Sequence, residues 1–370
     1  MSPLSPALFA ASLFAPALFT PGLVDPGLVA PGQADSGIRL AVVQPLPGIG
    51  DMIWHLPHLR ALAAAVGRAV TLVTKPRSGA SELLAAEPAV RDIMWLDRNP
   101  PGRRGRHDGL PGMLRLAAEL RARRFDAVVL LHHSVTLATA ARLAGIPVRA
   151  GYGYGAQRWL LNRGPVMSRR MMREHQFQRA TAWLRAAGIA MADAEPVLTI
   201  ADAARQAAAV RLQDVARPFV AIGIGASEPS RQWGAVGFAA LARGLRATGW
   251  DSLVLLGGAA ETALAAAIQR LAGDAGLTSA LGWRLDEVAA LLVEATFYVG
   301  NNTGVMNMAA AVGIPTYALF GTTPVFGHSR HIIPIASPPD KAAGDDGMAR
   351  ITPEAVLAAI ASGIGGVGAG

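Results

Sequence analysis

The chain has 370 residues, of which 52% are apolar and 16% are charged, and its formal net charge at pH 7 is +8. This composition excludes a disordered protein, and the length indicates two domains. Because the chain has no cysteine, a disulfide framework, a thiolate metal site and a cysteine nucleophile are excluded. The histidines show no HExxH or similar ligand spacing. We therefore expect chemistry that uses no metal and no bound cofactor.

The positive charge comes almost wholly from arginine, because lysine occurs only at positions 75 and 341. One interpretation is the codon bias of a GC-rich genome. The other is a basic face for an anionic partner, since three arginine clusters lie in the first half of the chain. These clusters are Arg103, Arg104 and Arg106; Arg121, Arg123 and Arg124; and Arg169, Arg170 and Arg173. No nucleic-acid-binding motif accompanies them, so an anionic membrane surface or a phosphorylated glycolipid is the better candidate partner.

Residues 1–36 form a low-complexity segment in which PALF and PGLV are each repeated. The segment lacks the basic start of a signal peptide, and prolines, among them Pro3, Pro6, Pro16 and Pro21, interrupt it as a membrane helix. We expect a disordered tail or sequence translated upstream of the real start, with a weak hydrophobic membrane contact as the alternative.

From residue 37 onward, short apolar segments alternate with amphipathic helical segments, which is typical of parallel sheets with crossover helices. The predicted strands are 38–44, 69–74, 92–97, 126–132, 219–225, 252–258, 295–300 and 315–321. The two sets of strands are joined near residues 190–217, where "ADAARQAAAVRLQDVA" (201–216) is predicted to be helical. We therefore predict an α/β protein with two Rossmann-like domains, 37–200 and 201–370, whose parallel sheets face each other across a cleft.

Ligands of open parallel sheets bind beyond the carboxyl ends of the strands, and the first polar loop at such a place is "QPLPGIGDMIWHLP". Gly48 and Gly50 let the backbone approach a ligand, and Asp51 stands at the predicted N-cap of the next helix, where capping alone is the alternative role. Pro57 indicates that this helix is kinked or begins later than Asp51. The loop lacks the full glycine pattern of a dinucleotide site and the GK[ST] of a P-loop, so neither NAD nor a Walker-type phosphate site is predicted.

The second polar loop is "GIGASEPSRQW". Ser227 leaves room for a ligand and Arg231 supplies a fixed positive charge, although an ordinary surface arginine is the alternative. We expect Trp233 to be packed rather than functional.

The third polar loop is "VGNNTGVMNM". Asn302 or Thr303 can cap the helix that follows, and Gly304 permits close approach of a ligand. A helix N-terminus of this kind suits a diphosphate, with simple N-capping as the alternative. Asn307 lies inside an otherwise apolar helix and must find a hydrogen-bond partner.

Taken in order, the segments of this chain resemble the family 9 glycosyltransferases, the lipopolysaccharide heptosyltransferase family. The segments that carry the resemblance are "PGIGDMIWHLPHLRAL", "RAGYGYGAQRWLLNR", "IGIGASEPSRQWGAVGFAALARGL", "LLGGAAE", "VGNNTGVMNMAAAVGIPTYALFGTT" and "ITPEAVLAAI", from about residue 37 to residue 361. The resemblance implies a GT-B architecture, with the acceptor held mainly by the first domain and a nucleotide-sugar donor by the second.

The reaction implied by the resemblance is an inverting, metal-independent glycosyl transfer. The first expectation is heptose from ADP-heptose, transferred to a lipopolysaccharide core or a related glycolipid or oligosaccharide acceptor. The implied location is the cytoplasm, with peripheral attachment to the inner face of the inner membrane as a further expectation.

The family's functional residues can be carried over where its motifs match this sequence. Asp51 matches the catalytic aspartate, which acts as general base on the acceptor hydroxyl. Arg231 falls on the basic position that balances the leaving diphosphate, without a metal. Thr303 and Gly304 match the pair whose backbone amides hold the phosphates, and Ser227 matches a loop position near the donor.

Two positions depart from the family pattern, because Asn302 replaces an aspartate and Asn307 replaces a histidine. Asparagine can form hydrogen bonds to a sugar or phosphate, but it neither carries charge nor titrates. The donor therefore remains open between ADP-heptose and another nucleotide sugar. Two alternative functions also stay open: an epimerase-like nucleotide-sugar enzyme of GT-B fold, and a degenerate nucleotide-sugar-binding protein.

Overall fold

A computed structural model describes residues 37–191, 193–273, 276–325, 327–338 and 347–365. The expectation for residues 1–36 lies outside the described residues. The chain divides into two compact units between Ala194 and Glu195, whereas the sequence placed the boundary between residues 200 and 201.

The first unit contains a parallel sheet, of which five strands lie in the described residues. They are β1 (Leu40–Val43), β2 (Val70–Thr74), β3 (Val90–Trp95), β4 (Ala127–Leu130) and β5 (Val148–Gly151). The strand order is β3-β2-β1-β4-β5, and every neighbouring pair is parallel. From β1 the chain adds β2 and β3 on one side of the sheet, and after β3 it crosses to add β4 and β5 on the other side. The carboxyl ends of β1 and β4 therefore form a topological switch point, where ligands of such sheets bind.

The helices of the first unit are α1 (Ile49–Val66), α2 (Ala80–Leu83), α3 (Gly109–Ala122), α4 (Val135–Leu143) and α5 (Gln176–Ala186). Helix α1 corrects two expectations. Its N-cap is Gly48, so the prediction that Asp51 is the N-cap is wrong, and Asp51 lies inside the first turn. The helix also contains Pro57, so it does not begin after Asp51. A glycine can occupy the cap because the Asp51 carboxylate satisfies the cap's own N–H.

The second unit contains another parallel sheet, of which six strands are described. They are β6 (Val220–Gly223), β7 (Leu253–Gly257), β8 (Leu277–Leu281), β9 (Phe297–Asn301), β10 (Thr316–Phe320) and β11 (Ile332–Ala336). Their order is β11-β10-β9-β6-β7-β8, again parallel throughout. The helices are α6 (Asp202–Arg211), α7 (Gly234–Ala247), α8 (Thr262–Ala272), α9 (Leu285–Glu294), α10 (Gly304–Ala311) and α11 (Pro353–Gly365).

Each unit has a hydrophobic core of its own. The central strands are buried along their whole length, as expected when helices cover both faces of a parallel sheet. Side chains of α3 and α4 pack against β1 and β4 in the first unit, and side chains of α7, α8 and α11 pack against β6 and β7 in the second. The predicted α/β class with two parallel sheets is therefore confirmed. Within the described ranges, no helix combines the length and apolarity that a membrane crossing requires.

The segment that joins the two sets of strands is helical where the sequence predicted it. Helix α6 lies within the predicted helical stretch 201–216, whereas residues 193–200 before it form no helix. Leu198 is instead held by a backbone hydrogen bond to the Ala311 carbonyl at the end of α10 (2.9 Å).

Candidate active site

The Asp51 carboxylate lies beyond the carboxyl end of β1, the central strand of the first sheet. Its Oδ2 accepts a hydrogen bond from the Gly48 N–H (3.0 Å). A Cβ placed on Gly48 would lie 2.7 Å from the same oxygen, so a larger residue at this position would displace the Asp51 carboxylate. Burial raises the pKa of Asp51 above its usual 3.8, against the opposing effect of the Gly48 hydrogen bond. A half-buried carboxylate with a raised pKa is a stronger base than an exposed aspartate.

Two buried histidines of α1 fix the position of this first turn. The Nδ1 atom of His55 lies 2.6 Å from the Asp51 carbonyl oxygen, and since a carbonyl only accepts, Nδ1 carries the proton. Burial lowers the pKa of His55 to about 4 and that of His58 well below its usual value, so both rings are neutral at pH 7. His58 Nε2 lies 2.9 Å from Thr181 Oγ1 and thereby ties α1 to α5.

A group of cationic and imidazole side chains lies at the same end of the first sheet. It consists of Lys75, Arg98, His132, His133, His175 and Arg179, and we call it the basic group. Burial, and then the positive charges of its neighbours, lower the pKa of His132 to about 4. His175 packs edge-on against Trp54 of α1, with ring centroids 4.4 Å apart, which places the basic group next to the helix of Asp51.

Several buried nitrogen atoms of the basic group have no hydrogen-bond partner among the described residues. Arg98 Nε and Arg179 Nε are buried, and neither has a partner in the part of the chain that the structure describes. His132 Nδ1 and His133 Nε2 are likewise unpartnered there. A buried guanidinium N–H without an acceptor is unfavourable, so an anionic ligand would satisfy Arg98 and Arg179. The sequence reasoning missed this group, although "HHS" at the end of a predicted strand is a signal that could have found it.

The second unit brings two polar loops together, because β6 and β9 are adjacent and parallel. The link between the loops is Asn301, the last residue of β9, whose side chain is 0% exposed. Its Nδ2 lies within hydrogen-bond distance of Ile224 O (3.0 Å), Gly225 O (3.1 Å) and Gln232 Oε1 (3.2 Å). Its Oδ1 accepts from the Trp233 N–H (3.3 Å). Asn301 therefore sets the shape of residues 224–233, and the sequence reasoning missed it in favour of its neighbour Asn302.

Arg231 lies in this loop, in a short 3-10 turn. Its Nη2 is 3.4 Å from Glu228 Oε1, while its Nε is buried without a partner in the described ranges. Ser227 is exposed in the same loop. Trp233 packs against Phe238, with ring centroids 5.1 Å apart, and donates from Nε1 to Ile351 O (2.8 Å), which confirms that it is a packed residue.

The N-terminus of α10 faces the same edge of the sheet. Thr303 is its N-cap, but no side chain forms a cap hydrogen bond there, so the simple N-capping alternative is wrong. Burial raises the pKa of Tyr298, and the nearby Thr303 side chain opposes that rise. The first backbone N–H groups of a helix have no partner within it. In α10 they remain available to an anion.

Asn307 has the hydrogen-bond partners that its buried position requires. Its Nδ2 donates to Thr303 O (3.0 Å), and its Oδ1 lies 2.7 Å from His328 Nε2. Since the amide oxygen only accepts, Nε2 of His328 carries the proton. His328 follows β10 and is itself buried, so a loop distant in sequence braces the first turn of α10.

The predicted site residues thus lie in two groups, one in each unit. Gly48, Gly50 and Asp51 lie at the end of β1, and Ser227, Arg231, Asn302, Thr303, Gly304 and Asn307 lie at the ends of β6 and β9. Among the described residues, no three His, Asp or Glu side chains are placed to hold a metal ion.

Comparisons with known proteins place this geometry in context. A family model described as glycosyltransferase family 9 (heptosyltransferase) matches residues 113–329. A search of curated proteins finds no match. Among solved structures, a family 9 glycosyltransferase of Veillonella parvula is 20% identical, with a TM-score of 0.73 over 88% of this chain and 96% of that one.

Two structures from E. coli are also similar. The ADP-heptose LPS heptosyltransferase II is 22% identical, with a TM-score of 0.69 over 88% of this chain and 98% of that one. Heptosyltransferase WaaC with ADP-2-deoxy-2-fluoro heptose is 20% identical, with a TM-score of 0.66 over 88% of this chain and all (100%) of that one. At these identities the likeness shows the fold, which is a two-domain, GT-B-like fold.

Proposed function

The chain belongs to glycosyltransferase family 9, the heptosyltransferase family, and from this premise we propose that it transfers heptose from ADP-heptose to an anionic lipopolysaccharide core or a related glycan. The donor assignment rests on two features at the carboxyl ends of the adjacent strands β6 and β9. They are Arg231, whose Nε has no partner among the described residues, and the N-terminus of α10, which no side chain caps. We propose that the transfer is inverting and needs no metal ion.

The donor diphosphate suits these two groups. A helix N-terminus offers backbone N–H donors and a partial positive charge, and the guanidinium supplies a full charge with several donors. Together they offset the charge that grows on the diphosphate as its bond to the anomeric carbon breaks. ADP-heptose is favoured as donor because one of the similar structures is an ADP-heptose heptosyltransferase and another is a heptosyltransferase with an analogue of ADP-heptose.

Asp51 is the proposed general base. The acceptor hydroxyl oxygen attacks the anomeric carbon from the face opposite the diphosphate, Asp51 takes the hydroxyl proton, and the nucleoside diphosphate leaves with its bonding electrons. The configuration at the anomeric carbon is therefore inverted. The raised pKa of Asp51 favours proton transfer to it.

The basic group supports an anionic acceptor. It offers unpartnered donors of Arg98 and Arg179 next to the helix of Asp51, and carboxylate or phosphate groups on a glycan would satisfy them. This chemistry fits the acidic sugars or phosphates of a lipopolysaccharide core. Neither the epimerase-like alternative nor the degenerate binding protein is favoured by the family membership. We also propose that the protein works at the cytoplasmic face of the inner membrane, where a lipid-linked acceptor is available.

The test is nucleotide release by the purified protein. ADP-heptose, UDP-sugars and GDP-sugars are each incubated with protein and truncated lipid A core, and the released nucleotide is quantified. We expect release from ADP-heptose. A donor that binds to the wild-type protein but is never consumed would remove the transferase proposal.

The matched variant for this assay is Asp51→Asn. It should lower turnover by about 100-fold or more, the usual scale for loss of a general base, while ADP affinity stays nearly unchanged. In the wild-type pH profile, turnover should decrease as the pH is lowered, because Asp51 becomes protonated. The pKa of this step should lie above that of an ordinary aspartate, because burial raises the pKa of Asp51. An equal loss of ADP binding in the variant would show that Asp51 is structural.

A further inference from the structure

We propose that residues 155–173 of the first unit, here called the docking segment, bind the surface of an anionic phospholipid bilayer. The segment contains Arg158, Arg163, Arg169, Arg170 and Arg173 and no acidic residue. The proposal adds an interaction surface to the proposed function, and its binding test needs neither donor nor acceptor.

The docking segment exposes large apolar side chains next to its charges. Trp159 is 74% exposed and Val166 is 62% exposed, whereas Leu160 and Leu161 are partly buried against the core of the unit. The Arg158 guanidinium lies 4.2 Å from the centroid of the Trp159 ring. Tryptophan favours the interface between lipid and water, and arginine beside it pairs with lipid phosphates.

The arginines of the docking segment differ from those of the other two clusters. None of the five forms an ion pair with any carboxylate in the described ranges, and Arg169, Arg170 and Arg173 are exposed. In the first cluster, by contrast, Arg103 binds Asp97 (2.8 Å) and Arg106 binds Glu119 (2.6 Å).

The second cluster is also engaged within the protein. Arg123 pairs with Asp92, and Arg121 donates to the carbonyls of Leu143 and Ala144. The structure therefore separates three clusters that look alike in sequence. Of the three, the third is the cluster in which no arginine forms an ion pair with a described carboxylate, so its charges are available to an external partner.

Hydrogen bonds fix the docking segment beside the proposed acceptor site. Gln157 donates to His132 O (2.9 Å), and Met167 N donates to Tyr152 O (2.8 Å). The segment is flanked by Tyr154, whose ring packs against His133, and by His175, whose ring packs against Trp54. A bilayer bound to this segment would thus lie next to the basic group, where a lipid-linked acceptor could present its sugar without leaving the membrane.

The test measures co-sedimentation of the full-length protein with sucrose-loaded vesicles. One vesicle preparation is an equimolar mixture of phosphatidylglycerol and phosphatidylethanolamine, and the other is phosphatidylcholine alone. We expect binding to the first, release from it by high salt, and little binding to the second. Equal binding to both would overturn the proposal, as would binding that persists at high salt and indicates a purely hydrophobic contact elsewhere.

Matched variants locate the surface. The triple change Arg169→Gln, Arg170→Gln and Arg173→Gln should weaken vesicle binding by about 100-fold, on the scale of about fivefold per arginine near an anionic surface. The control triple Arg103→Gln, Arg104→Gln and Arg106→Gln removes the same charge from the first cluster and should leave most of the binding intact. An equal loss in both triples would overturn the proposal, because it would show a response to net charge alone.

Trp159 supplies a second measurement. Trp159→Ser should weaken binding to the anionic vesicles, whereas Val236→Ser, which alters a 75% exposed side chain in the other unit, should not. Quenching of tryptophan fluorescence by lipids with a doxyl group near the headgroup should be largely lost in Trp159→Phe. Quenching that is unchanged in Trp159→Phe would overturn the assignment of this surface.

Discussion

Asn301 is the residue through which the donor loops hold their shape, and its removal gives the sharpest test of that arrangement. In Asn301→Ala, four contacts made by one buried side chain are lost at once. Two of the former partners keep another hydrogen bond. Ile224 O still accepts from Gln232 Nε2 (2.9 Å), and Gln232 Oε1 still accepts from Gly234 N (3.1 Å).

The magnitude follows from the two groups that are left without a partner. These are the buried Trp233 N–H and the half-buried Gly225 carbonyl. A buried polar group without a partner costs about 1–3 kcal/mol, and water can reach the carbonyl more easily than the N–H. We therefore expect residues 224–233 to be destabilised by about 2–4 kcal/mol.

Amide hydrogen exchange read by mass spectrometry measures this effect locally. Peptides from residues 219–234 should exchange about 30-fold to several hundredfold faster in Asn301→Ala, with one power of ten for each 1.4 kcal/mol. ADP affinity should fall in parallel, because Arg231 lies in the released loop. Asn302→Ala is the matched control for exchange, since the Asn302 side chain forms no hydrogen bond with a described residue. Unchanged exchange in residues 219–234 of Asn301→Ala would refute the role given to this network.

Three further predictions concern the pH dependence of stability and the donor residues. Burial lowers the pKa of His55 from 6.5 to about 4, so between these values the unfolded chain binds a proton that the folded chain does not, and stability is lost as pH falls through this window. The free energy of unfolding, measured with urea, should therefore decrease between about pH 7 and about pH 4.5. This decrease should be smaller by about 2 kcal/mol in His55→Leu than in the wild type. Arg231→Ala should weaken ADP binding by about 10-fold to 100-fold in calorimetry without lowering the thermal midpoint, and an unchanged ADP affinity would contradict its place at the diphosphate. Asn307→His and His328→Asn should each speed amide hydrogen exchange in residues 327–331. The double variant, which swaps the two residues, should restore slow hydrogen exchange if the contact between them braces the loop.

The strands that the sequence predicted are mostly those buried on both faces. A strand covered by helices on both sides reads as a continuous apolar run, and β1, β4, β6 and β9 are of this kind. The strands that the sequence missed are β5, β8 and β11, and all three lie at sheet edges. In β8 and β11 most residues are exposed or half-buried, because an edge strand is covered less completely than a central one. Their sequences therefore lack the pattern that identified the others.

The residues of the candidate site divide in a similar way. Asp51 and Thr303 could be predicted as site candidates because each lies at the start of a helix that follows a recognisable strand, and Arg231 because it lies in the loop after β6. The parallel sheet fixes where such positions meet. Asn301 could not be distinguished from Asn302 in the same manner, because its hydrogen-bond partners lie about 70 residues earlier in the chain. Contacts over such separations depend on strand order, which the sequence pattern does not encode.

Two of the three asparagines in "VGNNTGVMNM", Asn302 and Asn307, show what this difference means for function. From the sequence, both appear as losses, Asn302 of a carboxylate and Asn307 of an imidazole. In the structure, an imidazole is present beside Asn307 after all, because His328 lies 2.7 Å from its amide oxygen. A titratable ring therefore remains next to the first turn of α10, supplied by the loop after β10. Asn302 has no such replacement among the described residues, and we propose that its uncharged side chain is the change at this helix N-terminus that bears on the choice of donor.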